Sequence, residues 1–248
     1  MGMLSNYDLK MRARSRVKGP AFGISLKISL ILILWQIVST YWDGQRTPNP
    51  SSLGFGESVQ YLFGMFTTSM VSEIIFGVFG LGTVWAFVEW RRSQEAPANP
   101  VQVSLKFWGR ETLVDVVVLY GLRFLFTVLW TFLLIVPGII KSFAYSQAGL
   151  IFAEDVKNGA KITSLSEYLT RSQDLMQGYK GHFFWLQLSF IGWWILVALT
   201  FGIAAIYVIP YYNATMAEFY MEVVRERRYG ARRPAGDTEM PVDENDEL

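Results

Sequence analysis

The sequence predicts an all-α, polytopic membrane helix bundle of about six transmembrane helices, with the N-terminus and the C-terminus both cytoplasmic. Three observations lead there. Of 248 residues, 52% are hydrophobic and only 17% are charged, against roughly a quarter charged in soluble domains. The apolar residues run in unbroken blocks, long enough for the ~20-residue helix that a ~30 Å hydrocarbon core requires. The basic residues gather in alternate connections between the blocks, the asymmetry that orients helices in a membrane.

The first block, residues 21–42, follows a basic cytoplasmic N-terminal segment, residues 1–20, that holds Lys10, Arg12, Arg14, Arg16 and Lys18. The apolar run is too long for a signal peptide and lacks a small-residue cleavage site, so it reads as an uncleaved first span. Residues 43–56, with Pro48, Pro50, Gly44, Gly54 and Gly56, form a loop. One helix over residues 57–90 would be about 51 Å long, too long for a single crossing. The segment therefore divides. Val59, Leu62, Phe63 and Phe66 form the stripe of an interfacial helix over about 57–68, and the second span covers about 70–90. A polar connection leads to span three, about 112–135, and Val136-Pro137-Gly138 turns the chain into span four, about 138–153.

The polar stretch 154–181 contains a capping-box match at Ser164 and Glu167, an i,i+4 pair at Glu167 and Arg171, and an apolar stripe of Leu165, Tyr168, Leu169, Leu175 and Met176. It predicts an interfacial helix over about 164–178, resting on the membrane surface. Spans five and six cover about 182–199 and 203–224, with Thr200-Phe201-Gly202 as the turn and Pro210 as a bend. The six-helix membrane domain thus occupies residues 21–233. Residues 234–248, with six acids and no base, form an acidic disordered tail. In this topology the four cytoplasmic segments hold 18 of the 22 Lys and Arg residues, and the outer connections hold only Arg46. The expected location is the cell membrane, multi-pass.

With no cysteine and one histidine, His182, the chain has no thiol nucleophile, disulfide, Cys-based metal site or multi-histidine site. No nucleophile–base arrangement stands out. No catalytic, cofactor-binding or metal residue, no cofactor, no enzymatic activity and no nucleic-acid partner are expected. Charges inside spans are expensive and mark candidate intramembrane sites: Arg123, Glu73, Glu218 and Lys141. Arg123, at mid-span, is expected to face the bundle interior and meet a carboxylate, Glu73 first and Glu218 as the alternative. A packing role for that pair outweighs a role in passage. Arg225, Arg227, Arg228, Arg232 and Arg233 are candidate lipid-headgroup contacts at ~1 kcal/mol each, and an orientation signal is compatible with the same cluster. Ser142, Ser146 and Gly149 share one face of span four and suit close helix packing. His182 reads as an interfacial residue.

Several stretches resemble an uncharacterised bacterial integral-membrane family, domain of unknown function family 975. They are Ala13-Arg14-Ser15 to Lys18-Gly19, Ile135-Val136-Pro137-Gly138-Ile139-Ile140-Lys141-Ser142, Leu188-Ser189-Phe190-Ile191-Gly192-Trp193, Leu199-Thr200-Phe201-Gly202-Ile203 and Val208-Ile209-Pro210-Tyr211. The likeness covers most of the chain beyond residue 100, while region 43–70 and the acidic tail are less typical. It implies a six-helix membrane fold and no assigned activity. A weaker likeness, to the membrane portion of bacterial glycerophosphodiester phosphodiesterases, carries no catalysis, because their separate barrel needs ~250 residues.

Two classes of function remain. The first is an integral membrane protein without a catalytic site that binds or moves a lipid, peptide or small solute. The alternative is an accessory or protective subunit acting through a membrane-protein partner. An intramembrane enzyme ranks last, for want of any reacting constellation. The lipid bilayer is the partner the composition names; oligomeric state is not legible.

Overall fold

The computed structural model describes residues 3–44, 54–162 and 164–230. Over them the chain forms α1 (Asn6–Arg16), α2 (Pro20–Gly44), α3 (Phe55–Ser93), α4 (Pro100–Ser104), α5 (Arg110–Leu133), α6 (Ile135–Ala144), α7 (Ala148–Lys157), α8 (Leu165–Leu175), α9 (Lys180–Leu188), α10 (Ile191–Leu199) and α11 (Ala205–Gly230). A 3₁₀ turn at Lys106–Trp108 joins α4 to α5. Five helical stretches are long and apolar enough to cross a membrane: Pro20–Ser39, Phe55–Ser93, Arg110–Leu133, Ile135–Lys157 and Lys180–Leu199. They mark an integral membrane protein. The acidic tail, Arg46, Arg232 and Arg233 lie outside the described residues.

The sixth predicted span falls on α11, which is 26 residues long but not among the five apolar stretches. Its position explains the difference. α11 packs against α1, α2, α3, α8 and α10, and Ala214, Phe219, Tyr220 and Val223 are buried in the main core. A helix wrapped by protein rather than lipid can carry Asn213, Glu218 and Glu222, all buried, provided that they are paired.

Four further expectations are corrected. The interfacial helix over 57–68 is not separate: α3 runs unbroken for 39 residues, about 58 Å, and no proline interrupts residues 55–93. The turn after span three comes at Leu134, whose backbone is extended, not at Val136-Pro137-Gly138. Pro137 sits in the first turn of α6, where a missing N–H costs nothing. Span four is interrupted between α6 and α7, and span five between α9 and α10. The N-terminal segment is more than a topogenic signal. It forms α1, capped by Ser5, whose Oγ accepts the Asp8 N–H at 3.2 Å. Leu9, Ala13 and Val17, at i,i+4,i+8, bury its apolar face in the core.

α8 is amphipathic as predicted, but its apolar stripe meets protein rather than a membrane surface. Tyr168, Leu169 and Met176 are buried in the main core, and α8 packs on α5, α6 and α7. The capping box does not form. Ser164 Oγ lies 2.9 Å from Ser166 Oγ and makes no cap bond. Arg171 pairs with Asp155 of α7 rather than with Glu167, through two N–H···O bonds of 2.5 and 3.2 Å. A bidentate partner across the interface outcompetes an exposed i,i+4 neighbour.

The turn between spans five and six stands where the sequence puts it. Phe201 and Gly202 both take positive φ, +50° and +90°, and the Gly202 N–H reaches the Val197 carbonyl at 2.8 Å, closing α10 as a Schellman-type end.

Candidate functional site

α11 places Glu218, Glu222 and Arg225 on one face, because residues four and three apart stack along a helix. On α1, Arg12 and Arg16 are likewise four apart. The two faces meet, since α1 lies along α11. Arg91 and Arg92 close the last turn of α3, where cations suit the carbonyl end of the helix dipole.

The result is a cluster of charge at the basic end of the bundle. Glu218, 2% exposed, is held by Arg16 and by Arg91, whose Nε donates to Oε2 at 3.1 Å. Glu222 accepts from the Arg225 guanidinium and from the Leu4 backbone N–H at 3.0 Å. Arg225 also meets Glu226 at 3.1 Å. Glu154 of α7 gathers Arg92 at 3.1 Å, Arg228 at 3.3 Å and the Tyr220 hydroxyl at 2.5 Å. Between these groups lies a cavity of about 340 Å³ whose wall includes Arg12, Arg91, Arg92, Arg225 and Arg228 against Glu218 and Glu222.

The cationic excess is not fully spent on internal pairs. Among the described residues the Arg12 guanidinium makes neither hydrogen bond nor ion pair, and Arg225 Nε is buried without an acceptor. Such a wall can hold an anion of phosphate or carboxylate type by charge-assisted, fork-shaped hydrogen bonds.

Each predicted site residue except Arg232 and Arg233, which lie outside the described residues, now has a place. Arg225 and Arg228 line the cavity. Arg227 does not: it donates to the carbonyls of Asp174 at 2.7 Å and Gln177 at 2.6 Å, capping the end of α8. Glu218 belongs to this cluster and is not the partner of Arg123. Arg123 Nη2 lies 3.7 Å from Glu73 Oε1, beyond hydrogen-bond length. Lys141 Nζ donates to Gln173 of α8 at 2.6 Å and stands 4.8 Å above the Trp130 ring. Of the small-residue face, Gly149 serves packing, for a Cβ there would meet the Tyr120 hydroxyl at 2.6 Å. Ser142 and Ser146 line a second cavity, near Arg123. His182 is half-buried, with its ring 6.1 Å from that of Phe219.

Sequence reasoning overlooked several residues. Arg12, Arg16, Arg91 and Arg92 were legible only as orientation signals, although the i,i+4 spacing of Arg12 and Arg16 was the available clue. Ser172 and Lys10 left no local signal at all. Ser172, fully buried, accepts the Gln147 N–H at 3.1 Å and donates to the Ala144 carbonyl at 2.6 Å, satisfying the backbone that the α6–α7 interruption frees. Lys10 Nζ does the same at the α9–α10 interruption, reaching the Ser189 carbonyl at 3.1 Å. Non-helical backbone at membrane depth is tolerated only with such partners.

Outside the spans, burial lowers the Lys10 pKa below the usual lysine value. The Arg171 pKa is raised, chiefly by its hydrogen bond to Asp155. Burial, and then the Asp155 charge, pushes Tyr168 up to about 12. Among the described residues there is no group of three or more His, Cys, Asp or Glu residues that could hold a metal ion.

The family profile described as Protein of unknown function (DUF975) matches residues 57–227. No curated protein and no solved structure matches.

Proposed function

The chain belongs to the DUF975 family, whose function is unknown, and from that premise we propose that it is a non-catalytic, six-span protein of the cell membrane, both termini cytoplasmic, that binds anionic lipid headgroups in the arginine-lined cavity. The observation that carries this reading is the unspent charge of that wall, above all Arg12, whose guanidinium has no partner among the described residues. The basic end is the cytoplasmic side by the positive-inside rule, and there anionic headgroups are attracted by ~1 kcal/mol per basic residue.

The test is lipid retention by the purified chain, measured by native mass spectrometry from nanodiscs of phosphatidylglycerol and phosphatidylcholine. Phosphatidylglycerol should be retained preferentially, and Arg12→Gln, which breaks no pair among the described residues, should weaken retention about fivefold, the equivalent of ~1 kcal/mol. Equal retention of both lipids by the native chain rejects the proposal. For topology, a cysteine introduced at Ser51 should label with an impermeant thiol reagent in intact cells, and one at Asn158 should not. Labelling at Asn158 would overturn the orientation.

A further inference from the structure

A second cavity, of about 270 Å³, lies at the middle of the bundle, where α3, α5, the α6–α7 interruption, α9 and α11 converge. Arg123 stands in its wall, about 20 Å along α5 from Arg110 and about 15 Å from Leu133. Arg123 is therefore far from both ends of α5.

Most polar groups of the wall satisfy one another. Gln187 and Tyr212 exchange hydrogen bonds of 2.9 and 3.0 Å. Ser142 and Ser146 donate to the Ile139 and Phe143 carbonyls of α6, each at 2.8 Å. Gln147 and Arg123 keep hydrogen-bonding capacity unused among the described residues. Gln147 is only 4% exposed; its amide Nε2 donates to Ser146 Oγ at 2.9 Å, but its Oε1 has no donor. The Arg123 guanidinium makes no hydrogen bond among the described residues; it approaches Glu73 at 3.7 Å and stands 5.6 Å from the centre of the Tyr120 ring, which leaves its N–H donors unused. A buried acceptor without a donor costs about 1–3 kcal/mol, so each such group requires a physical account.

We propose that this cavity is a binding site for a small acid carrying a hydrogen-bond donor beside its carboxylate, an α-hydroxy or α-amino acid with a branched aliphatic side chain. The carboxylate lies on Arg123, whose fork matches it. The neighbouring hydroxyl or ammonium donates to Gln147 Oε1. The aliphatic part fills the space between Leu81, Phe143, Phe183 and Met216. A volume just below the ~300–1,000 Å³ of common ligand pockets admits such a molecule and excludes an acylated lipid. The proposal is independent of the headgroup reading, which uses other residues.

Calorimetry on the full chain in detergent, with four probes of nearly equal shape, tests it: L-leucine, 2-hydroxy-4-methylpentanoate, 4-methylpentanoate and L-leucinamide. At least one of the first two should bind saturably, and which one does tells whether ammonium or hydroxyl meets Gln147. 4-Methylpentanoate, lacking the donor, and L-leucinamide, lacking the acid, should each bind at least tenfold more weakly. Gln147→Met should erase the gap between the donor-bearing acid and 4-methylpentanoate, and Arg123→Met should abolish acid binding. Absence of binding by both L-leucine and 2-hydroxy-4-methylpentanoate would mean a cavity filled with water only and overturns the proposal, as does equal binding of all four. If either variant fails to fold, the tenfold gaps in the native chain still decide.

Discussion

The basic half of the molecule and the half bearing α10 and the α5–α6 turn are both built from apolar helices, yet they bury them in opposite ways. Around α1, α8 and the C-terminal half of α11, Leu9, Trp85, Phe152, Met176, Phe219 and Val223 are fully enclosed by protein, and carboxylates among them are matched to arginines. At the other end the large apolar side chains point outward: Phe132 is 84% exposed and Phe201 98%, and α10 has no buried residue. Lipid, as apolar as leucine, takes the place of a core there, and gives no hydrophobic drive to pack helix on helix. The difference teaches that mean apolarity does not identify the central helix of a membrane bundle. α11, the most protein-wrapped, is the long helix that fails the apolarity test.

Substitutions that introduce or strand a charge in the basic half should break this contrast most. Leu169→Asp exchanges a core leucine of α8 for a carboxyl group. Loss of the side chain and burial of a polar group together predict about 4 kcal/mol or more of destabilisation. Thermal unfolding in detergent should report this as a global loss. Loss of membrane contact by α8 alone, with the melting temperature unchanged, would return α8 to a surface role.

Glu218→Gln comes next. It leaves Arg16 and Arg91 without their carboxylate, and removal of one partner from a buried pair costs about 3–5 kcal/mol. The lower end is expected, because the Arg91 side chain keeps 31% of its exposure. Chemical denaturation of the variant beside the native chain measures it, and a stability equal to native would mean that the cluster is ornamental to folding.

Ser172→Ala is subtler by size and sharper in meaning. It removes one hydroxyl that serves both a stranded N–H and a stranded carbonyl at the α6–α7 interruption, for which about 2 kcal/mol is expected. Hydrogen exchange should quicken at Gln147 above all. Phe132→Ala, on the lipid-facing turn, should change stability by no more than about 0.5 kcal/mol, although it deletes a larger side chain than the other three. A loss as large as that of Leu169→Asp would mean that another chain covers the turn.

Composition and block length pointed to the helical membrane class and to α2, and the local turn signal to Phe201-Gly202. Each of these depends on interactions within one segment or between a segment and its solvent. That Arg123 would approach Glu73 was readable for a similar reason, since a mid-span charge has few places to go, but not that the two would stay 3.7 Å apart. The tertiary structure decided the rest. Nothing in the segment 165–175 tells whether its apolar stripe meets lipid or protein, because both are apolar; only the packing of α8 on α5, α6 and α7 does. Nothing near Lys10 or Ser172 announces that each completes the backbone of an interrupted helix far along the chain, and the arginine cavity joins residues from positions 12 to 228. A local pattern records how a residue is solvated on average, whereas a site is made by which charges are brought together and which are left unpaired, and that is settled only when distant helices close on one another.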